Sequence, residues 1–458
     1  MNYVFKTFEC GNEFFVYDRN CNKILSISRQ EYDSLNNPKS SEREKVLSKY
    51  QAKGFLKDSN LKEIEHPASA VLAEFEDKHI HEMILQVTQD CNLRCSYCYY
   101  VNERYRQRHH SHIKMEFSLA KRAMDYFMEH SSDEKEIVLG FYGGEPLLCF
   151  DLIKKCVEYM ELNVQDRKVR FVLTTNGTLL TNEKIEYFIE HDISILISLD
   201  GSKESHDYNR KFADGTGSFD IIINKIKNLK ENYPYYFKTV LFNTVISPEM
   251  DMNKIRKYYE ADEVLKDAQI MSGTIQEFYA SEPPRYDDKL FIDSCYGQLK
   301  AILFCAGRLK EEDLSILHRG YIGNYKKMLQ SLQSEFILPS KFHHGGPCIA
   351  GSKRLFVDIN GRLFPCEHVS EESAIMEIGS VDEGIIIKKI DDLINVGKIT
   401  EKECLNCWAL VQCRICAAWA DDLSALNRNK KLSVCPKYRE SVLEDMKTIC
   451  MLKRIQQY

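Results

Sequence analysis

Residues 88–98, Thr88-Gln89-Asp90-Cys91-Asn92-Leu93-Arg94-Cys95-Ser96-Tyr97-Cys98, decide how this chain is read. They follow a compact apolar run, 83–88, of the kind that forms a strand buried on both faces. The spacing CxxxCxxC offers three thiolates where a tetrahedral zinc site or an iron–sulfur cubane ordinarily takes four. A cubane held by three cysteines keeps one iron open. An open iron can bind a small chelating ligand and pass it an electron. Zinc completed by His109, His110 or His112 is the competing arrangement, although those histidines read more simply as a solvated polar loop. A third reading, three cysteines that only fill core, is an unusual use of a loop.

The strand-then-loop pattern repeats downstream. Strands at 83–88, 137–142, 169–174, 193–199, 239–246 and 269–275 alternate with helices at 118–129, 151–162, 182–191, 219–229 and 252–259. Six such units predict a parallel α/β domain, either an open sheet or a partial barrel. Its chemistry belongs in the loops after the strands' C-terminal ends. Upstream, three short strands at 3–8, 13–18 and 23–28 are separated by Gly11-Asn12 and 20–22, and helices follow at 29–35 and 41–50. A polar linker ends in His66-Pro67. So small a sheet suits recognition of a partner better than catalysis. The region 311–341 reads as helical and connecting. Beyond it, strands at 354–357 and 362–365 flank Asn360-Gly361, and a final helix begins near Tyr438. At ~150 residues per domain the chain has room for about three, and these shifts set them at 1–75, 76–310 and 311–458.

Composition removes several functions. With 62 basic and 68 acidic residues the net charge is −6, so no electrostatic footprint for nucleic acid is present. No apolar stretch approaches the ~20 residues of a spanning helix, and the N-terminus lacks a signal-peptide layout. A cytoplasmic protein without membrane or nucleic-acid partners is expected. Seventeen cysteines in such a chain argue for metal rather than a disulfide framework. Three lie between 91 and 98 and seven between 348 and 435, whereas the other seven are scattered and read as core.

After the second strand stands Gly143-Gly144-Glu145-Pro146. The glycines let backbone approach a ligand closely, and Glu145 suits an ammonium. CxxxCxxC after the first strand, an aromatic before the third cysteine, and GGEP after the second strand together resemble the radical S-adenosylmethionine (SAM) enzymes. The resemblance implies a partial (β/α)6 barrel, a 4Fe-4S cluster on Cys91, Cys95 and Cys98, and SAM as cofactor. It also implies the SAM contacts: Tyr97 against the adenine, and Gly143, Gly144 and Glu145 around the methionine amino group. Asn176, in Thr175-Asn176-Gly177, closes the third strand as the family does, with a plain turn as its alternative. Ser198 and Asp200 fit the ribose or methionine part. Arg210 fits the SAM carboxylate, with a surface salt bridge as its alternative. The implied reaction is reductive cleavage of SAM to methionine and a 5′-deoxyadenosyl radical that takes hydrogen from a substrate.

The tail pattern is Cys348, Gly361-x4-Cys366, Cys404-x2-Cys407, Cys413, Cys416 and Cys435. It resembles the SPASM extension, which binds two auxiliary 4Fe-4S clusters, making three clusters in all. Cys413 and Cys416 depart from it, being separated by two residues where three are usual. The family's ligand swap would give Cys404, Cys407, Cys413 and Cys435 to an outer cluster, and Cys348, Cys366 and Cys416 to an inner one. Two full clusters need about eight ligands, so the seven cysteines leave an inner iron open unless His343, His344 or Cys305 fills it. Two structural zinc sites are the alternative for this region. The front module resembles a winged-helix-like leader-recognition element, which binds peptide by adding a strand. The combination resembles maturases that install thioether cross-links in sactipeptides, ranthipeptides and six-cysteine peptides. Implied partners are a Cys-rich precursor peptide bound through its leader and an electron donor such as flavodoxin or ferredoxin. Rival readings are an anaerobic sulfatase maturase forming formylglycine, carbon–carbon cross-linking of a peptide, and a non-catalytic metal-binding scaffold for peptides.

Overall fold

Alternating apolar residues and two tight turns build the front sheet. Strands β1 (Phe5–Cys10), β2 (Glu13–Asp18) and β3 (Lys23–Ile27) pair antiparallel in that order. Gly11 and Asn22 supply the positive φ (61° and 51°) that the turns require. The helix Arg29–Asn36 starts on a capping box of Ser28 and Glu31, and Ser41–Gln51 follows. The computed structural model describes residues 3–100, 105–351 and 354–456.

Six parallel strands form the core: β4 (Glu82–Thr88), β5 (Glu136–Gly143), β6 (Lys168–Thr175), β7 (Ile193–Ser198), β8 (Leu241–Ile246) and β9 (Gln269–Thr274). Helices cover their outer face; Phe117–Glu129, for example, buries Ala120, Ala123, Met124 and Phe127, one stripe at helical spacing. Among the described residues no helix is long and apolar enough to cross a membrane.

The sheet does not stop at the core. Tail strands β10 (Leu355–Val357), β11 (Arg362–Phe364), β12 (Gly379–Ser380) and β13 (Gly384–Ile385) continue it to ten strands. β10 runs parallel to β4, with Leu355 opposite Met83 and Val357 opposite Leu85. The pairing satisfies backbone groups that an open β4 edge would leave bare.

The C-terminal helix corrects the sequence reading. It spans Arg428–Gln456, starting ten residues before Tyr438 and carrying Cys435 and Pro436 inside it. Asn427 caps it, its side-chain oxygen accepting from Lys430 N at 3.0 Å. This helix, with Asp288–Cys305 and Arg319–Gln333, forms a layer under the front sheet, where Phe8 and Tyr17 pack with Ile302, Tyr325, Met328 and Met446.

Candidate active site

The loops after β4, β5 and β6 are pressed together backbone to backbone. Gly144 N donates to Thr88 O at 2.9 Å and Glu145 N to Asp90 O at 2.8 Å. A Cβ on Gly144 would stand 2.0 Å from Asp90 O; one on Gly143, whose φ is 144°, would stand 2.2 Å from Thr88 O. Only glycine allows this approach. Glu145 is fully buried, and its carboxylate accepts from Leu147 N (3.0 Å), Thr175 Oγ1 (2.7 Å) and Asn176 N (2.7 Å). A carboxylate has about four acceptor positions. Glu145 is thus chiefly a strut between the β5 and β6 loops, with one position left for an ammonium.

Cys91, Cys95 and Cys98 lie in an apolar pocket with Leu93, Tyr97 and Ile275. The three are close enough for Cys95 and Cys98 to raise the Cys91 thiol further, although burial is the main cause. Burial likewise pushes Cys95 up to about 12. Such thiols ionise only when a cation compensates, which a metal does. Leu93 N and Asn176 Nδ2 point at Cys91 Sγ, at 3.4 and 3.8 Å. N–H groups aimed at sulfur are what cluster thiolates accept, so the donor set fits an iron–sulfur cluster. Asn176 also bonds Asn92 Oδ1 at 2.9 Å, tying the β6 loop to the cysteine loop.

Behind Cys95 sits a buried ion pair. Arg210 Nε donates to Asp200 Oδ2 at 2.8 Å, the Tyr97 hydroxyl donates to the same oxygen, and Val245 N donates to Oδ1 at 2.9 Å. The Arg210 guanidinium lies 5.3 Å from the Tyr97 ring centre. The surface-salt-bridge alternative for Arg210 is therefore overturned: the pair is buried, with Asp200 wholly inaccessible. Asp200 is committed to protein partners, and Ser198 ends β7 beside it. Of the histidines, His112 is exposed against Asp90 and His109 pairs with Glu372. His110 leans on Tyr100 with ring centres 5.3 Å apart.

In the tail, Cys413 and Cys435 each feel the charges of Cys404 and Cys407. Cys416 feels Cys348, and Cys366 feels Cys416. Cys404, Cys407, Cys413 and Cys435 are thus within electrostatic reach of one another, as Cys416 is of Cys348 and Cys366. Lys431, buried, brings its ammonium within 3.6 Å of Cys404 Sγ. Among the described residues, no three His, Cys, Asp or Glu side chains gather tightly enough to hold a metal ion as they stand. His343 is not free to serve as a ligand. Its Nδ1 donates to His344 O (2.7 Å) and its Nε2 accepts from Gly397 N (2.7 Å). His344 Nε2 is buried without a partner, and Cys305 packs in the helical layer under the front sheet.

Two features had no signal in the sequence. Arg19, in the β2–β3 turn, is fully buried and donates to Leu405 O (2.7 Å) and Cys407 O (3.3 Å). Its neighbour Asn22 accepts from Gln412 Nε2 at 2.8 Å. The front sheet therefore grips both loops that carry Cys404, Cys407 and Cys413. The second is a polar knot inside the barrel, where Glu371 accepts from Gln86 Nε2 (2.7 Å) and from Arg108 Nε. It joins β4, the segment after the first cysteine loop, and the loop after Cys366.

Residues 85–261 match the model of the Radical SAM superfamily. This stretch is thus similar to the domain that radical SAM enzymes carry. Among relatives, the radical SAM cyclopropyl synthase TigE of Paramaledivibacter caminithermalis is 26% identical over 49% of this chain and 48% of its own length. A cysteine-type anaerobic sulfatase-maturating enzyme of Clostridium novyi is 29% identical over 40% of this chain and 48% of its own. The chain spans about half the length of these curated relatives. In fold it resembles the solved native anSMEcpe with bound AdoMet and Cp18Cys peptide, with a TM-score of 0.58 and 21% identity, covering 82% of this chain and 99% of that one. The α/β radical SAM fold is therefore established.

Proposed function

We propose that this chain is a peptide maturase that joins a cysteine sulfur to a carbon of a ribosomally made, Cys-rich precursor. What supports this reading is Cys366 and Cys416, packed against the main core within electrostatic reach of each other, with Cys348 in reach of Cys416. Charges of both Cys98 and Glu367, the residue after Cys366, reach the Tyr142 hydroxyl on β5. Three protein thiolates leave a four-iron cluster one position that a substrate thiolate suits. When loaded, the cofactors would supply a 5′-deoxyadenosyl radical to take a hydrogen atom from the acceptor carbon and, as the thiolate sulfur bonds that carbon, an auxiliary cluster to accept the remaining electron. The chain's own residues then have to place that carbon between the two cysteine sets and keep water out.

Relatives support a maturase role: a sulfatase-maturating enzyme and a cyclopropyl synthase by name, and a fold neighbour solved with a peptide. In this reading residues 1–75 recognise the leader. β3 pairs with β2 alone among the described residues, so a leader strand would add there. The setting is the cytoplasm, with a flavodoxin or ferredoxin as reductant.

Cys366→Ala tests the reading. Cross-linking should stop while SAM cleavage persists, and iron should fall by about four of about twelve per chain. Intact cross-linking would remove Cys366 from the sulfur's path. Arg19→Ala should also lower iron by about four, through the outer set. Electron paramagnetic resonance should show the Cys91/95/98 signal unchanged. Full iron in that variant would mean the front sheet does not hold the outer loops in place.

A further inference from the structure

Arg108 and Gln107 enter the barrel interior from the segment that follows the first cysteine loop, and both side chains are all but inaccessible. Arg108 uses Nε on Glu371 and Nη2 on Val369 O at 3.3 Å. Its planar face lies 4.8 Å from the Phe356 ring centre and 5.8 Å from that of Tyr142. Its third nitrogen, Nη1, is buried without a partner. Gln107 uses Nε2 on His368 O (2.9 Å) and Val369 O (3.4 Å), and its Oε1 is likewise buried without a partner.

Both side chains donate to the same Val369 carbonyl, which holds their two head groups next to each other. One is a donor and the other an acceptor. Native interiors rarely leave such atoms unmatched unless something else completes them. The two fit the C=O and N–H that every peptide main chain offers. Their position suits the chemistry. Arg108's charge reaches Cys98 on one side and His368, two residues from Cys366, on the other.

We propose that Arg108 and Gln107 are positioning residues that hold the substrate's main chain between the two cysteine sets. Arg108 Nη1 donates to a substrate carbonyl oxygen, and Gln107 Oε1 accepts a substrate N–H. This rests on the peptide-maturase reading above. Main-chain capture places the acceptor carbon without demanding a particular side chain. One site can then process successive positions of a precursor whose identity is checked at its leader.

The test uses Arg108→Lys, which keeps a cation for Glu371, and Gln107→Leu, both as iron-loaded holoenzyme. The probe is a Cys-rich peptide chosen from short reading frames near this chain's gene, with and without its leader. Each variant should bind the leaderless peptide at least tenfold more weakly and raise KM for the full peptide. The fraction of SAM cleavages that yield product should fall, while iron content and SAM affinity stay at wild-type values. Unchanged peptide binding and coupling in both variants would overturn the proposal. So would weakened SAM binding with peptide binding intact, which would give Arg108 to the SAM carboxylate. The binding arm reads the main-chain contact whatever bond is made. A wild-type enzyme that binds the peptide without forming thioether therefore sinks the reaction reading and leaves this contact to be judged by its own variants.

Discussion

Gly144→Ala is expected to lower SAM cleavage ~100-fold or more, the loss that about an ångström of misplacement brings. The added methyl would stand 2.0 Å from Asp90 O and 3.1 Å from Cys91 Cβ. Both neighbours belong to the cysteine loop, and the nearer is backbone, so neither can swing aside. The β5 loop must retreat, breaking the bonds from Gly144 N and Glu145 N to Thr88 O and Asp90 O. The Glu145 strut moves with it. 5′-Deoxyadenosine formed under chemical reduction measures the effect. Gly320→Ala is the control, because its Cβ meets nothing within 4 Å; it should cleave SAM like the wild type. Near-normal cleavage by Gly144→Ala would show that the loop contact is dispensable.

Asp200→Ala should destabilise the protein by about 3–5 kcal/mol, the usual result of removing one partner from a buried ion pair. Arg210 would keep its charge in the interior, and the Tyr97 hydroxyl and Val245 N would lose their acceptor. Asp200→Asn retains the shape and one acceptor oxygen, so its loss should be smaller. Urea midpoints of the three proteins, loaded with iron and handled without oxygen, give the comparison. A midpoint for Asp200→Ala within error of wild type would mean that Asp200 is not the group neutralising Arg210. Because Tyr97 sits between Cys95 and Cys98, the alanine variant should also load iron poorly at the first site.

What was legible in the sequence was what chemistry or sterics forces onto residue types. Three cysteines at fixed spacing and two glycines under a neighbouring backbone are such demands. The six core strands announced themselves as apolar runs within a residue or two of their observed ends, although the edge strand β9 is mostly exposed. Register between distant segments has no local signature, so the joining of β10 to β4 went unread. The final helix was read from near Tyr438, whereas Asn427 already provides its cap. Arg19, Gln86, Arg108 and Glu371 were missed for a different reason. A buried polar residue is recognised by its partners, and here those partners lie 263 residues away for Arg108 and Glu371, 285 for Gln86 and Glu371, and 388 for Arg19 and Cys407. Arg210 was expected at the SAM carboxylate or in a surface salt bridge, and its buried pairing with Asp200 became visible only in the fold.

The most direct test is the intact mass of such a Cys-rich peptide, coexpressed with this chain without oxygen and then reduced and alkylated. The account predicts loss of two hydrogens for every cysteine that no longer alkylates, with fragments linking that sulfur to a carbon elsewhere in the peptide. A peptide whose cysteines all alkylate despite vigorous SAM cleavage would contradict it, as would a cysteine converted to formylglycine.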